Sequence, residues 1–406
     1  MNTKQIEPFS VLAVPGVRLA ATSAGIKKNN KTDLVLIEIT EGAHSAAVFT
    51  QNAFCAAPVI VAREHLQQDA PRYLLINAGN ANAGTGQAGL EAANACCEIL
   101  ASSAGCEATQ VLPFSTGVIG QDLPVEKFSA AIPAVVLQLS EDAWLAAAQG
   151  IMTTDTVAKA VSQQVEIEGN TVTVTGIAKG SGMIRPDMAT MLAFIATDAL
   201  VAQPTLQTCL HNAVAQSFNR VTVDGDTSTN DACVLMATGK SAAVLIDDVN
   251  SLAFAQLSEA VNSVSVQLAK AIARDGEGAT KLVTVQVDEG ASEQECNDVA
   301  YTIAHSPLVK TALFASDPNW GRILAAVGRA GLQALEIDKV CIYLDDVCIV
   351  RDGARAPEYE ESQGQAVFDR AEFTIRVKLG RGAASTTVWT CDFSYDYVRI
   401  NAEYRT

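Results

Sequence analysis

The sequence predicts a layered fold of mixed helices and strands, of α/β or α+β class. Three observations point there. Short runs rich in Val, Ile and Thr alternate along the chain with segments of helical period. Hydrophobic residues make up 49% of the 406 residues and charged residues 18%, the balance of a well-packed globular chain. No internal repeat, long linker or low-complexity segment breaks the alternation. Pattern alone leaves the topology open.

Taken in order, Leu34–Ile39, Pro58–Ala62 and Tyr73–Ile76 read as strands, and the Ala-rich Gly89–Ser102 as a helix. Glu141–Gln149 opens on acidic residues, which favour a helix N-terminus through the backbone dipole. Val165–Ile167 and Thr171–Thr175 alternate on either side of Glu168-Gly169-Asn170, a hairpin signal. Leu206–Phe218 and Val249–Ala273 read as amphipathic helices, the second ending at Arg274-Asp275-Gly276-Glu277-Gly278. Lys281–Val287 is strand-like and Ser292–His305 helical. Ser316-Asp317-Pro318-Asn319-Trp320 predicts a helix start, with Ser316 or Asp317 as cap and Pro318 in the first turn. Val340–Leu344, Glu372–Leu379 and Thr386–Cys391 follow as strands. Tyr397–Thr406 reads as a strand running to an anchored terminus whose carboxylate would be a fixed charge.

The bulk numbers narrow the partners. A net charge of −17 argues against nucleic acid or an anionic membrane surface. A small anionic substrate stays open, because one Lys or Arg inverts the field inside a cleft. The ten Cys show no regular framework and no Cys-x-x-Cys pair, and the four His show no ligand spacing. They read as buried thiols of a reducing compartment, with no metal site expected. The N-terminus lacks a signal-peptide pattern, and no apolar run approaches the roughly 18 residues of a membrane span. A soluble, cytoplasmic protein is expected.

Residues 179–198 carry the most chemistry. A turn containing Gly180, Gly182 and Pro186 delivers Thr190 to the first position of an apolar run. Its Oγ can be aimed at the carbonyl of Ala189. Attack there would cut the chain and leave an N-terminal Thr, nucleophile and amine base on one residue. The plainer reading is a β-branched residue opening a buried strand. Ser115-Thr116-Gly117 offers a hydroxyl and a backbone N–H as oxyanion donors, or is a simple strand-end turn. Asn77–Gly86 has the glycine spacing of a phosphate loop, but Thr85 stands where the Lys must be. Asp224–Asp231 is rich in oxygen ligands but lacks the terminal Glu of a calcium loop, with Met236 in that place. It reads as a polar loop shaping a cleft. Glu277, between two glycines, presents a carboxylate able to reach an amine. No Gly-x-Gly-x-x-Gly follows a strand, so a dinucleotide cofactor has no support.

Together these stretches resemble the ornithine acetyltransferase family, also called glutamate N-acetyltransferases, of arginine biosynthesis. The resemblance rests on Thr153-Thr154-Asp155-Thr156, Lys179–Ile184, Met188–Leu192, Asp224–Thr227, Asp275–Lys281 and Asp317–Arg322, in order along the whole chain. It implies an aminopeptidase/ornithine acetyltransferase-type fold, similar to N-terminal-nucleophile hydrolases but differently connected. It implies self-cleavage at Ala189–Thr190 into an α chain of 1–189 and a β chain of 190–406. Thr190 would then carry acetyl from N2-acetylornithine to glutamate. Thr116 and Gly117 are implied as oxyanion donors. Thr154, Lys179, Thr190, Glu277, Asn401 and Thr406 are implied as substrate-binding positions. An α2β2 heterotetramer without cofactor is implied, with acetyl-CoA as a possible co-substrate that no sequence marker decides. Two rivals stand beside this reading: an N-terminal-nucleophile amidohydrolase or aminopeptidase using the same Thr190, and a non-enzymatic binding protein in which Thr190 is only core.

Overall fold

The structure is a computed structural model that describes residues 11–27, 31–185 and 191–403. Its contacts divide the chain into two compact units. The first comprises Met1–Gly180, Pro186–Asn219 and Thr227–Leu268; the second comprises Ser181–Arg185, Arg220–Asp226 and Ala269–Thr406.

The first unit is built on two sheets. Strands β1 (Val17–Thr22), β2 (Leu34–Ile39), β3 (His44–Phe49), β4 (Tyr73–Asn80) and β5 (Val111–Val118) come first in the chain. They are followed by β6 (Lys159–Ile167), β7 (Asn170–Lys179), β8 (Leu192–Thr197) and β9 (Ala232–Ala237). One sheet has the order β1-β2-β4-β5 and the other β3-β9-β8-β7-β6. Side-chain alternation sorts the strands' residues into two cores. Val35, Ile37, Leu74 and Ile76 join Ile177, Phe194, Val234 and Met236 in a core shared by the two sheets. The rings of Phe114 and Phe194 meet there edge to face at 5.1 Å. The intervening residues Leu34, Leu36, Tyr73 and Leu75 face outward. Helices α1 (Ala57–Gln68), α2 (Gly86–Ala104), α3 (Val125–Val136) and α4 (Trp144–Gly150) connect these strands. Apolar side chains of α2 and α3, among them Leu100, Phe128 and Ile132, cover that outer face. On the far side of the second sheet, α5 (Gln203–Gln216) packs on β3 and β9, and α6 (Leu252–Arg274) sets Val264 and Leu268 against Gly176. The unit is therefore four layers deep, helix–sheet–sheet–helix.

The second unit has one six-stranded sheet, formed by β10 (Leu282–Gly290), β11 (Cys341–Leu344), β12 (Val347–Arg351), β13 (Ala354–Arg355), β14 (Glu372–Lys378) and β15 (Ala384–Cys391). Its core joins Val283, Val285, Ile342 and Ile375 to side chains of α7 (Glu293–Ala304), α8 (Pro307–Phe314), α9 (Trp320–Gly328) and α10 (Glu361–Phe368). A last helix, α11 (Tyr395–Ala402), ends the described chain. The layered mixed α/β class holds.

Three local expectations need correction. Pro58–Ala62 is not a strand but the first turns of α1. Pro58 sits where a helix start needs no amide donor, and Val59, Val61, Ala62 and His65 fall on its buried face. Residues 397–402 are not a strand but part of α11, capped by Ser394, whose Oγ accepts from the Asp396 amide. Tyr397 stacks at 4.6 Å on Phe393, which precedes the cap, and the contact pins the first turn of the helix to the chain entering it. The helix after Asp317 begins at Trp320 with Asn319 as its cap, so neither Ser316 nor Asp317 caps it. The β6–β7 hairpin is as expected: Glu168 and Gly169 form a two-residue turn, both at positive φ.

Candidate active site

In the first unit, Thr116 and Gly117 lie just before the last residue of β5, beside β4 where the parallel register shifts at Gly79 and Asn80. Gly117 adopts φ +134°, and a Cβ there would lie 2.3 Å from the Gly79 carbonyl carbon. Only glycine permits both that dihedral and that approach. The turn is braced by buried amide side chains. Asn230 donates from Nδ2 to the carbonyls of Ala81 at 2.6 Å and Ser115 at 2.9 Å. Asn77 accepts from the Ser115 hydroxyl at 2.6 Å and donates to the Asn80 carbonyl at 2.8 Å.

Lys179, the last residue of β7, is buried and donates from Nζ to Thr116 Oγ1 at 3.2 Å. The adjacent Gly180 amide donates to Asp155 Oδ1 at 2.7 Å. The same oxygen takes the Lys159 ammonium at 2.7 Å, and Oδ2 takes the Thr153 amide at 3.0 Å. Burial works against ionising Asp155, but Lys159, Lys179 and the Gly180 amide outweigh it and hold the carboxyl well below its usual range. The Asp155–Lys159 pair is almost wholly out of water, so removing one partner would cost about 3–5 kcal/mol. Thr154 lies in the turn between Thr153 and Asp155.

Two further titratable groups belong to this unit. Lys27 gives its ammonium to the carbonyls of Thr32 at 2.8 Å and Gly150 at 3.3 Å. Burial pulls its pKa down to about 8, against the opposing pull of Asp33. Asp231, just before β9, is buried, and burial pushes its carboxyl well above the usual range. Its Oδ2 meets no donor among the described residues.

The second unit holds Glu277 and Asn401. Glu277 is buried, its amide donating to the Ser181 carbonyl at 2.8 Å. Its Oε2 accepts from Asn401 Nδ2 at 2.7 Å, and that nitrogen also donates to the Tyr397 carbonyl at 2.9 Å. The carboxylate lies over Gly182, where a Cβ would come within 2.6 Å of all three carboxyl atoms. Glycine at 182 is thus what lets the Glu277 carboxylate reach the Ser181–Gly182 backbone. Asp224 accepts from the amides of Met183 and Ile184 at 2.7 and 2.9 Å. The oxygen-rich loop read from the sequence therefore acts here as a brace. Burial raises the Tyr397 hydroxyl, and the nearby Asp224 and Glu277 carboxyls raise it further.

Of the expected site residues, the structure joins Thr116 to Lys179 in one unit and Glu277 to Asn401 in the other. Ala189, Thr190 and Thr406 lie outside the described residues. Sequence reasoning gives no individual role to Asp155, Asn230, Asp231 or Tyr397. Asp155 stood inside the Thr153–Thr156 motif, and a polar residue in a motif beside an apolar strand was the available signal. Asn230 and Asp231 closed the loop weighed for calcium, where their place just before β9 was the clue. Among the described residues no group of three or more His, Cys, Asp or Glu is arranged to hold a metal ion. Among them, too, no helix is long and apolar enough to cross a membrane.

The family model described as "ArgJ family" matches residues 18–406. The arginine biosynthesis bifunctional protein ArgJ of Pseudomonas syringae pv. tomato is 57% identical over 393 residues, which is 97% of this chain and 97% of that protein. The protein of the same name from Methylococcus capsulatus is 58% identical over 403 residues, 99% of this chain and 98% of its own. Among solved structures, the crystal structure of arginine biosynthesis bifunctional protein argJ from Bacillus halodurans is 38% identical, with a TM-score of 0.48. That match covers 50% of this chain and 95% of the solved one.

Proposed function

The chain belongs to the ArgJ family, and from that premise we propose that it moves acetyl from N2-acetylornithine to glutamate through an acetyl ester on Thr190. The precursor cuts itself at Ala189–Thr190, which frees the Thr190 α-amine. An α-amine has a pKa near 8, suited to a general base at neutral pH. It takes the Thr190 hydroxyl proton as Oγ attacks the acetyl carbon. The carbonyl becomes an oxyanion held by the Thr116 hydroxyl and the Gly117 amide, then collapses. The C–N bond breaks, and the proton passes to the departing ornithine amine. Glutamate's amine attacks the ester in turn and regenerates Thr190. The covalent intermediate splits one difficult amide exchange into two easier steps.

The observation that carries this reading is the Lys179 ammonium on Thr116 Oγ1 beside the Gly117 turn. A cation beside a hydroxyl and a glycine amide supports reading that pair as oxyanion donors. Lys179 also suits the α-carboxylate that donor and acceptor share. Thr154, Glu277, Asn401 and Thr406 complete the substrate-binding positions, with Glu277 the natural partner of an amine. The chemistry calls for no metal or cofactor. Acetyl-CoA serves as a second acetyl donor, the working form is an α2β2 heterotetramer, and the protein works in the cytoplasm.

The test is an acetyl-transfer assay with N2-acetylornithine, with and without glutamate, alongside Thr190→Ala and denaturing mass spectrometry. Acetylglutamate well in excess of acetate, two wild-type fragments meeting at 189–190 and an uncut, inactive variant are the expected results. Acetate alone would make the enzyme a hydrolase. A cut variant would remove Thr190 as nucleophile. Acetylglutamate made from acetyl-CoA and glutamate alone checks the second donor.

A further inference from the structure

The carboxylate of Asp155 ties together three pieces of the first unit. Oδ2 takes the Thr153 amide at 3.0 Å, in the turn that carries Thr154. Oδ1 takes the Gly180 amide at 2.7 Å, at the end of β7. The residue just before that amide, Lys179, reaches Thr116 Oγ1 at 3.2 Å. Lys159 closes the arrangement from β6, its ammonium on Oδ1 at 2.7 Å. One buried side chain thus fixes the corner from which Lys179 meets the oxyanion turn.

The consequence falls on Thr116. A hydroxyl oxygen that accepts from an ammonium has a lone pair occupied, and its own O–H is polarised and turned elsewhere to donate. We infer that Asp155 is the positioning residue of the oxyanion turn: it holds the Lys179–Gly180 corner so that Lys179 stays on Thr116 and the Thr116 hydroxyl stays a donor. This rests on the acetyl-transfer reading above. Asp155 acts through Lys179 and Thr116, its own oxygens being taken by Lys159, Gly180 and Thr153. Among the described residues, the titratable groups that bear on Lys179 at this corner include Asp155, paired with Lys159, Lys27 from the loop before β2, and Asp231 before β9.

The test compares wild type, Asp155→Asn and the double variant Asp155→Asn/Lys159→Met. The single change strands the Lys159 ammonium without its counter-charge, whereas the double change removes both buried charges and keeps the volume. The double variant should melt near the wild type. Its kcat should fall roughly 100-fold, the scale of losing one oxyanion donor. KM should rise by a smaller factor than kcat falls, because Lys179 also meets the substrate carboxylate but the lost donor acts on the transition state. In Asp155→Asn the alkaline limb of kcat should shift to lower pH, because Lys179 loses a facing carboxylate while the Lys159 ammonium stays. A purely structural role would leave that limb in place. A double variant with wild-type kcat overturns the inference, as does an unmoved limb in Asp155→Asn, and so does a double variant that cannot fold, which would assign the pair to stability. A wild-type enzyme that transfers no acetyl would instead overturn the acetyl-transfer reading, independently of either variant.

Discussion

At Gly117 two demands meet on one residue: a φ of +134° and a backbone neighbour where a Cβ would sit 2.3 Å away. Alanine satisfies neither, so β5 must shift away from Gly79 to admit it. The Gly117 amide moves with the backbone, and an oxyanion donor displaced by a fraction of an ångström loses most of its value. Gly117→Ala is therefore expected to lower kcat roughly 100-fold in whatever fraction folds, and to lower Tm as well. Steady-state kinetics and a thermal melt on the same preparation check both. Unchanged kcat with a lowered Tm would leave Gly117 as packing alone. The sequence named Thr116 and Gly117 as a hydroxyl beside a glycine. It did not reveal that the glycine is there because Gly79 is.

Among elements, α7 shows how a helix end braces a loop. His305 follows its last turn and stands 3.0 Å from Thr222 Oγ1 through Nε2. The Thr222 hydroxyl donates to the Ile184 carbonyl at 2.8 Å, so its oxygen receives the His305 N–H. Burial, with Arg185, Lys310 and Arg329 nearby, pulls His305 down to about 4. The sign follows directly. Between about 6.5, the ordinary value of an unfolded histidine, and about 4, the unfolded chain binds a proton that the folded chain refuses. Stability should therefore fall as pH drops through that window, by about 2–3 kcal/mol from this residue. Urea unfolding of wild type and His305→Asn at pH near 7 and near 4.5 measures it. The variant should lose less stability on acidification, and equal losses would remove His305 as the cause. Elements also mark where local reading failed. The α1 run Pro-Val-Ile-Val-Ala has strand propensity, yet it is a helix because its buried face packs against β5 and the shared core. In α11, Val398 and Ile400 alternate with Arg399 and Asn401 and so imitate a half-buried strand, but Val398 is exposed and the alternation marks no buried face.

For the whole molecule, the break expected at 189–190 and the division into compact units are different things. A cut there leaves β7 on one fragment and β8 and β9 on the other. Within the first unit β7 and β8 pair antiparallel from Val174–Thr197 to Lys179–Leu192, and Ile177, Phe194 and Val234 share one core. Two fragments that share a sheet and a core have no cheap way to part. They should co-elute on native size exclusion and separate only in denaturant. Separate elution under native conditions would contradict a cut at that bond.

The sequence by itself determined the mixed layered class, most of the strands and the residues expected to carry the reaction. Those are set by local periodicity and by motifs that lie close together along the chain. Only the tertiary structure decided which motifs meet. Thr116 and Lys179 are 63 positions apart, and Glu277 and Asn401 are 124 apart. The partners of Asp155 and Asn230, and the reason for glycine at 117 and 182, also come from strands and loops far away in sequence. The physical reason is that hydrogen bonds, buried charges and close backbone approaches are properties of neighbours in space. A linear pattern records which face of an element is buried, but not what it is buried against.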